Sequence, residues 1–263
     1  MFGQVSNYEN QFYVSGQPLI GVENIEMSYS NSPNIVKILG FGVGQTTVNG
    51  PTQQKVSISQ NLIHSGGLIN YTGSSNISGS INYENDSYGF RSGYLDEYLV
   101  NCAVGSVPKV TSNITVYDAM VKTANNASGS VSSPTVYVPT QGSISLTCDN
   151  SSTNRVVGFD YSIKIDRRPV YSIGSLFPKE IATMPVVEYS ASVQIDVDDA
   201  FLSNSTGFLS GRQNKTVSFT IKSRDNAQTL QQLTIPKASL ISESLSSSAD
   251  GGVKLTLNYI GHS

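Results

Sequence analysis

The chain has 263 residues and a net charge of −3 at pH 7, and only 13% of its residues are charged. This weakly acidic balance lacks the positive charge of a nucleic-acid-binding protein, and a hydrophobic share of 38% excludes general disorder. So few charged residues also suit a chain whose surface is largely covered by neighbouring subunits, because the centres of such interfaces contain little Lys and Glu.

Short β-strands are the predicted elements, because apolar and polar residues alternate in runs that Gly, Pro, Asn and Ser interrupt. The polar segment 1–18, which ends at Pro18, is predicted to be an N-terminal arm. In chain order, the other predicted strands lie at 24–39 (a strand pair), 55–60, 80–85, 113–119, 135–139, 143–149, 158–174, 187–197, 216–223, 231–236, 238–246 and 253–260. The helix signal is one turn near Asp198, so the sequence predicts an all-β sandwich or barrel with little helix.

One segment, residues 88–108, is compatible with both helix and strand. Four residues share a helical face (Tyr94, Leu95, Tyr98, Leu99), and four alternate as in a strand (Tyr98, Val100, Cys102, Val104). We favour a turn that leads into a strand. Near the end of the chain, the sequence SADGG at 248–252 predicts a tight hairpin before the last strand.

A strand–turn–strand pattern occurs twice, as NIEMSYSNSPNIVKILG at 24–40 and as GFDYSIKIDRRPVYSIG at 158–174. One common shift along the chain aligns Ile25 with Phe159, Glu26 with Asp160, Met27 with Tyr161, Val36 with Val170, Gly40 with Gly174 and Pro51 with Pro185. A period of about half the chain is far too long for a solenoid repeat. Chance is the alternative, because strand–turn–strand patterns resemble one another easily.

We interpret this repeat as two similar β-sandwich or barrel domains in tandem. The first domain is predicted over 19–120 and the second over 135–263. Between them, 121–134 is rich in Ser, Asn and Gly and is predicted to be the linker.

The segment 61–79, NLIHSGGLINYTGSSNISG, combines glycines with apolar side chains. A connection of this length inside a compact domain is usually functional or makes contacts, and its apolar side chains would be costly to expose. The residues predicted to contact other subunits are Ile63, His64, Leu68, Ile69, Tyr71 and Ile77.

Motifs of catalysis and metal binding are missing from the sequence. The histidines are His64 and His262, and neither has the surroundings of a catalytic triad. The acidic run that contains Asp196 lacks the spacing of a calcium loop, and the adjacent Asp96 and Glu97 are expected on opposite faces of a strand. We therefore expect no enzyme, no cofactor and no metal site.

Three further features indicate a protein of a reducing compartment that does not cross membranes. Cys102 and Cys148 are predicted to be reduced core residues rather than a disulfide. The N-terminal sequence has no apolar export segment, and no run approaches the ~20 apolar residues of a membrane span. The basic pair Arg167-Arg168 is expected in a solvated turn.

Several segments resemble structural proteins of long-tailed bacteriophages. The segments PVYSIG and NIVKILG each end a strand pair in Gly, and a loop and a Pro-led alternating strand follow each of them. The sequence LTIPKASLISESLSSSADGGVKLTLNYIG, at 233–261, is similar to the closing strands of tail tube (major tail) proteins. The sequence SGSINYENDSYGFRSGYLDEYLVNCAVGSVPKVTSNITVYD, at 78–118, also resembles segments of such phage proteins.

This resemblance implies a structural virion protein of the phage tail that is made in the host cytoplasm. In the family, a β-sandwich or small barrel forms rings whose inner sheets join into one barrel around a lumen, and stacked rings conduct the genomic DNA. The usual ring holds six domains, so a chain with two domains implies a trimer with pseudo-sixfold symmetry. By this analogy, 61–79 is the stacking loop and 1–18 a contact arm, other tail proteins are partners, and DNA passes without sequence-specific binding.

Three other classes of function stay open at the level of sequence. Another virion ring, such as a tail terminator, connector or baseplate component, could be built on the same fold. A host-receptor or carbohydrate-binding β-sandwich would be indicated by aromatic side chains in loops, whereas the Tyr residues here lie mostly within predicted strands. An enzyme would need a pocket around His64 with an acid or a nucleophile within reach.

Overall fold

The computed structural model describes residues 11–30, 33–37, 44–73, 75–83, 86–124, 135–139, 143–149, 151–197, 214–248 and 251–263. In this part of the chain the fold is all-β, and most strands belong to one large antiparallel sheet. The prediction of an all-β protein is therefore confirmed.

The described residues form seventeen strands and one 3-10 turn. The strands are β1 (Gln11–Val14), β2 (Gln17–Pro18), β3 (Val22–Ser30), β4 (Pro33–Lys37), β5 (Gly44–Asn49), β6 (Gln53–Asn61), β7 (Ile77–Tyr83), β8 (Asp86–Ala103), β9 (Lys109–Val116), β10 (Val121–Ala124), β11 (Ile144–Cys148), β12 (Ser151–Thr153), β13 (Val156–Val170), β14 (Glu180–Val197), β15 (Lys215–Lys222), β16 (Thr229–Ser248) and β17 (Gly251–His262). The 3-10 turn, Leu68–Tyr71, lies between β6 and β7.

Alternation along the strands explains why these segments bury one face. In β6, Val56 and Ile58 are buried while Lys55 and Ser57 between them are not. Because successive side chains of a strand point to opposite faces, this pattern gives the sheet an apolar face towards the core and a polar face away from it.

The same order of strand pairing occurs in both halves of the chain. In the first half, the order across the sheet is β2-β1-β7-β8-β9-β6-β3, and in the second half it is β12-β11-β15-β16-β17-β14-β13. All of these pairs are antiparallel. Each half thus uses seven strands in one common arrangement.

Irregularities in the pairing coincide as well. β8 has a β-bulge at Asp96, and β16 has one at Ile241, which lies 145 residues later. The flanking pairs are Leu95↔Ile114 and Glu97↔Asn113 in the first hairpin, and Leu240↔Tyr259 and Ser242↔Asn258 in the second. Each of these four pairs is matched by adding 145 to both residue numbers.

The shift of 134 residues that the sequence pattern indicated also appears in the pairing. Val36 pairs with Thr46 in the β4–β5 hairpin, and Val170 pairs with Glu180 in the β13–β14 hairpin. The β1–β2 and β11–β12 turns have the same register, with Ser15 and Asp149 both at φ 49°. Such left-handed φ values are uncommon for residues other than Gly, so their recurrence indicates matched turns.

The core of the second half lies between layers of one folded sheet. Phe159 of β13 stacks on Phe219 of β15 with ring centroids 5.0 Å apart, although these strands are not neighbours in the sheet. The hydroxyl of Tyr161 donates a hydrogen bond of 2.9 Å to the Thr234 carbonyl of β16. The sheet therefore folds over itself, as in a sandwich.

Several segment predictions can be compared with these elements. Residues 88–108 contribute to a strand, as we favoured, and Ser248 pairs with Gly251 in the hairpin that was predicted at 248–252. The arm prediction for 1–18 is wrong over 11–18, where β1 and β2 join the sheet and Phe12 is buried. Residues 1–10 and the helical turn predicted near Asp198 lie outside the described residues.

The predicted linker also differs in part. Its first residues, Val121–Ala124, form strand β10, which pairs with the start of β8 and extends the first half of the sheet. The residues that follow, 125–134, lie outside the described ranges.

Candidate functional site

The two halves meet in one antiparallel seam, which we define as the pairing of β13 with the C-terminal part of β8. It runs from Gly158↔Ala103 to Lys164↔Glu97. On the core side of this seam Tyr98, Val100, Tyr161 and Ile163 are all buried. The seam makes β3-β6-β9-β8-β13-β14-β17-β16 a continuous path of eight hydrogen-bonded strands.

Arg167 of β13 clasps the first half at the end of the seam. Its Nη2 donates a hydrogen bond of 2.7 Å to the Gly73 carbonyl, and its Nη1 donates one of 2.8 Å to Thr183 Oγ1. Its Nε and Nη2 also lie 3.3 and 3.2 Å from the Leu95 carbonyl, and its guanidinium lies 4.9 Å from the centre of the Tyr94 ring. The expectation of a solvated Arg167 is wrong, because these contacts bury its side chain, whereas Arg168 is exposed.

Asp96, the bulged residue of β8, is the acidic partner of this clasp. Arg167 Nε lies 3.7 Å from Asp96 Oδ1, and the Thr115 hydroxyl donates a hydrogen bond to Asp96 Oδ2. Oδ1 is buried and has no hydrogen-bond partner among the described residues. Burial raises the pKa of Asp96 above its ordinary value, and this effect outweighs the Thr115 hydrogen bond and the positive charge of Arg167.

The bulge at Asp96 also overturns the expectation that Asp96 and Glu97 point to opposite faces. Glu97 accepts a hydrogen bond of 2.8 Å from Asn113, and Asp96 accepts one from Thr115. Asn113 and Thr115 lie two residues apart on β9, so the two carboxylates are on the same face of the sheet.

Two strand edges of the continuous path have no partner among the described residues. One is the edge of β3 that does not face β6, and the other is the edge of β16 over 242–248 that does not face β17. Apolar side chains stand exposed on both strands: Tyr29 on β3, and Ile241 and Leu245 on β16. Open edges with exposed apolar side chains are a hazard for a protein that stays alone.

The face of the eight strands that points away from the core is polar and mostly neutral. Residues on this face include Ser28, Ser57, Asn101, Asn113, Thr115, Ser162, Ser190, Ser192, Thr256 and Asn258. Small neutral side chains of this kind offer little attraction to a polyanion such as DNA.

A second apolar surface lies on the long β13–β14 hairpin. Its exposed apolar residues are Val170, Ile173, Leu176, Met184 and Val186. The Leu176 carbonyl accepts a hydrogen bond of 3.2 Å from the Thr52 amide, so the tip of this hairpin lies beside the start of β6.

The residues predicted to contact other subunits lie in a segment that is packed on its own chain. Leu68 and Ile77 are buried in the core, and the other four (Ile63, His64, Ile69 and Tyr71) are partly buried. The Ile63 carbonyl accepts a hydrogen bond of 2.8 Å from the Tyr137 amide, and His64 Nδ1 lies 2.7 Å from the Ser65 carbonyl. Their role between subunits stays a prediction.

Other predicted chemistry is placed as follows. Cys102 is half-buried, Cys148 is buried, and both are free thiols. Burial raises the pKa of the Cys102 thiol, which works against thiolate reactivity. Within the described ranges no three His, Cys, Asp or Glu side chains form a group that could hold a metal, and no helix is long and apolar enough to cross a membrane.

No protein-family model matches the chain. The search of curated proteins also found no match to it.

Proposed function

We propose that this chain consists of two copies of one seven-stranded β unit and that it assembles with itself into rings. The rings stack into a phage tail tube, which is a conduit for genomic DNA in the virion. The observation that carries this proposal is the seam between the two halves, together with two open edges of the same kind on β3 and β16.

The duplication is supported by details that chance similarity of β-proteins does not account for. Both halves share seven strands in one order, a bulge at Asp96 and at Ile241, and a left-handed turn residue at Ser15 and at Asp149. Bulges and left-handed turn residues are local features that are kept for a structural reason. Two tandem copies account for all of them together.

A ring follows from where the open edges lie. One edge is at one end of the eight-strand path and the other edge is at the opposite end. A head-to-tail contact between different surfaces closes into a ring when its rotation permits, and closure removes every open edge. With eight strands per chain, a trimer has twenty-four strands around its lumen and six copies of the β unit.

The remaining features suit a conduit. The face of the path that points away from the core becomes the lumen wall in such a ring, and it is rich in Ser, Thr and Asn. A neutral polar wall in a chain of net charge −3 does not retain DNA phosphates, so DNA passes without sequence-specific binding. The resemblance of 233–261, which form most of β16 and β17, to tail tube proteins gives this conduit its biological setting.

Negative-stain electron microscopy of the purified protein over a range of concentrations, with its mass in solution measured alongside, tests this proposal. We expect rings or tubes of uniform bore, with three chains per ring. Single rings that never stack would favour a terminator, connector or baseplate ring. A compact trimer without a central hole would favour a receptor-binding β-sandwich and contradict the tube.

A further inference from the structure

We propose that neighbouring chains join through the edges of β3 and β16 in the register that joins β13 to β8 within one chain. This inference rests on the proposed ring assembly and names the two surfaces and the residue pairs that form its contacts. The partner is a second copy of this chain.

The correspondence between the two halves fixes the register. β3 matches β13 at a shift of 134 residues, and the C-terminal part of β16 matches that of β8 at a shift of 145. Within the chain, the seam pairs Phe159 with Cys102, Tyr161 with Val100, and Ile163 with Tyr98. The matching pairs between chains are Ile25 with Ser247, Met27 with Leu245, and Tyr29 with Glu243.

Burial differs between the two sets in the sense that this inference requires. Val100 is 1% exposed, and its counterpart Leu245 is 64% exposed. Ile163 is 3% exposed, and its counterpart Tyr29 is 62% exposed. Both seam residues are covered by the opposite half of the chain, so both counterparts await a neighbour that supplies the same cover.

The two contacts also differ in a way that selects the correct partners. The residue that matches Arg167 at a shift of 134 is Pro33, and the residue that matches Asp96 at a shift of 145 is Ile241. If β13 paired with β16 of another chain, the Arg167 guanidinium would be buried without its acidic partner. A buried unpaired charge is strongly unfavourable, so β13 stays on its own β8, and β3 is the strand that β16 accepts.

Disulfide trapping tests the register, in a background in which Cys102→Ser and Cys148→Ser remove the native thiols. Ser28→Cys and Ser244→Cys are the diagnostic pair, since both residues are exposed and match Ser162 and Leu99, which pair in the seam. Directly opposite residues lie within the Cα separation that a disulfide spans, about 4.4–6.8 Å. We expect oxidation to give a ladder of cross-linked chains that ends at the number of chains in one ring.

Two variants act as matched controls. The pair Ser162→Cys and Leu99→Cys is expected to cross-link within one chain and to leave the mass on a denaturing gel unchanged. Ser28→Cys with Ser246→Cys shifts the contact by two residues along the same face, to a diagonal Cα separation of about 7–8 Å. We expect at most a tenth of the cross-linking of the diagnostic pair.

The outcomes separate the register from the function. If rings form and the diagnostic pair does not cross-link, or if the shifted pair cross-links equally well, the register is overturned and the proposed function stands. If the parent protein forms no rings or tubes at any concentration, both are overturned. A ladder from the diagnostic pair alone supports both.

Discussion

Arg167 Nε lies 3.7 Å from Asp96 Oδ1, and this ion pair connects the two halves of the chain across the seam. The Arg167 side chain is 1% exposed, while the side chain of Asp96 is 31% exposed. Four groups of the first half therefore face one guanidinium: the Asp96 carboxylate, the Tyr94 ring and the carbonyls of Leu95 and Gly73. This contact distinguishes the seam within the chain from the proposed contact between chains.

Replacement of Arg167 by Ala should destabilise the folded chain by about 3 kcal/mol, because it leaves Asp96 and several carbonyl groups without their buried partner. Urea unfolding, followed by circular dichroism, measures this change. The neighbouring Arg168→Ala is the matched control, since Arg168 is exposed and should change stability by less than about 0.5 kcal/mol. Equal effects of the two substitutions would contradict the clasp.

The raised pKa of Asp96 predicts a pH dependence of stability with a definite sign. An acid whose pKa is higher in the folded state than in the unfolded state resists ionisation on folding, so its contribution to stability falls as the pH rises from the ordinary Asp pKa through the folded-state value. Asp96→Asn removes this contribution. The stability of the parent relative to Asp96→Asn should therefore decrease as the pH rises through that window.

Asp225 provides a control of opposite sign for this experiment. Hydrogen bonds from the Ser223 hydroxyl and from the Ala227 amide lower the pKa of Asp225. Its contribution to stability should be lost as the pH falls through the lowered folded-state value. Unfolding curves of the parent, Asp96→Asn and Asp225→Asn at several acidic pH values compare the two slopes, and slopes of the same sign would refute the assignment.

Gly261 and Gly252 of β17 differ in the space around a side chain. A Cβ added at Gly261 would lie 2.4 Å from Ile235 Cγ2 and 2.5 Å from the Pro236 carbonyl oxygen, whereas one added at Gly252 meets nothing within 4 Å. Gly261→Ala should therefore cost about 1–3 kcal/mol through overpacking. Gly252→Ala should be neutral or slightly stabilising, since Ala has less freedom than Gly in the unfolded chain. Thermal unfolding of both variants checks the difference.

Substitution at the open edge should separate assembly from folding. Leu245→Asp adds a charge on the side of β16 that the proposed neighbour covers, so we expect loss of rings with little change in the stability of the single chain. Val136→Asp is the control, because Val136 is similarly exposed but lies outside the strands. Sedimentation and electron microscopy compare the two variants, and rings of Leu245→Asp at the parental concentration would contradict this surface.

How much of the fold the sequence predicts depends on how local each feature is. Alternation along the chain predicts most strands, and the shared shift of Val36 and Val170 is readable because both hairpins keep one length up to that point. Later in the chain the shift becomes 145, because connections of different length separate matching strands, and the repeat is no longer readable by eye.

Features that depend on distant partners are not predictable in this way. Arg167 resembles a residue of a solvated turn, and its burial depends on Asp96 and Gly73, which are far from it in sequence. The open edge of β3 likewise depends on which strand lies at the end of the sheet. Segment 61–79 was predicted from its apolar residues to contact other subunits, but two of these, Leu68 and Ile77, contribute to the core of the chain itself.

Burial of Leu68 and Ile77 determines how the stacking role of 61–79 should be tested. Deletion of the segment would remove core side chains, so loss of tubes would not be informative. Substitution of the partly buried Tyr71 by Ser avoids this problem, because its neighbours in the core remain in place. We expect Tyr71→Ser to form rings of normal size that stack into shorter tubes, as measured by electron microscopy. Tubes of parental length from Tyr71→Ser, and also from Ile63→Ser, would show that another surface joins the rings.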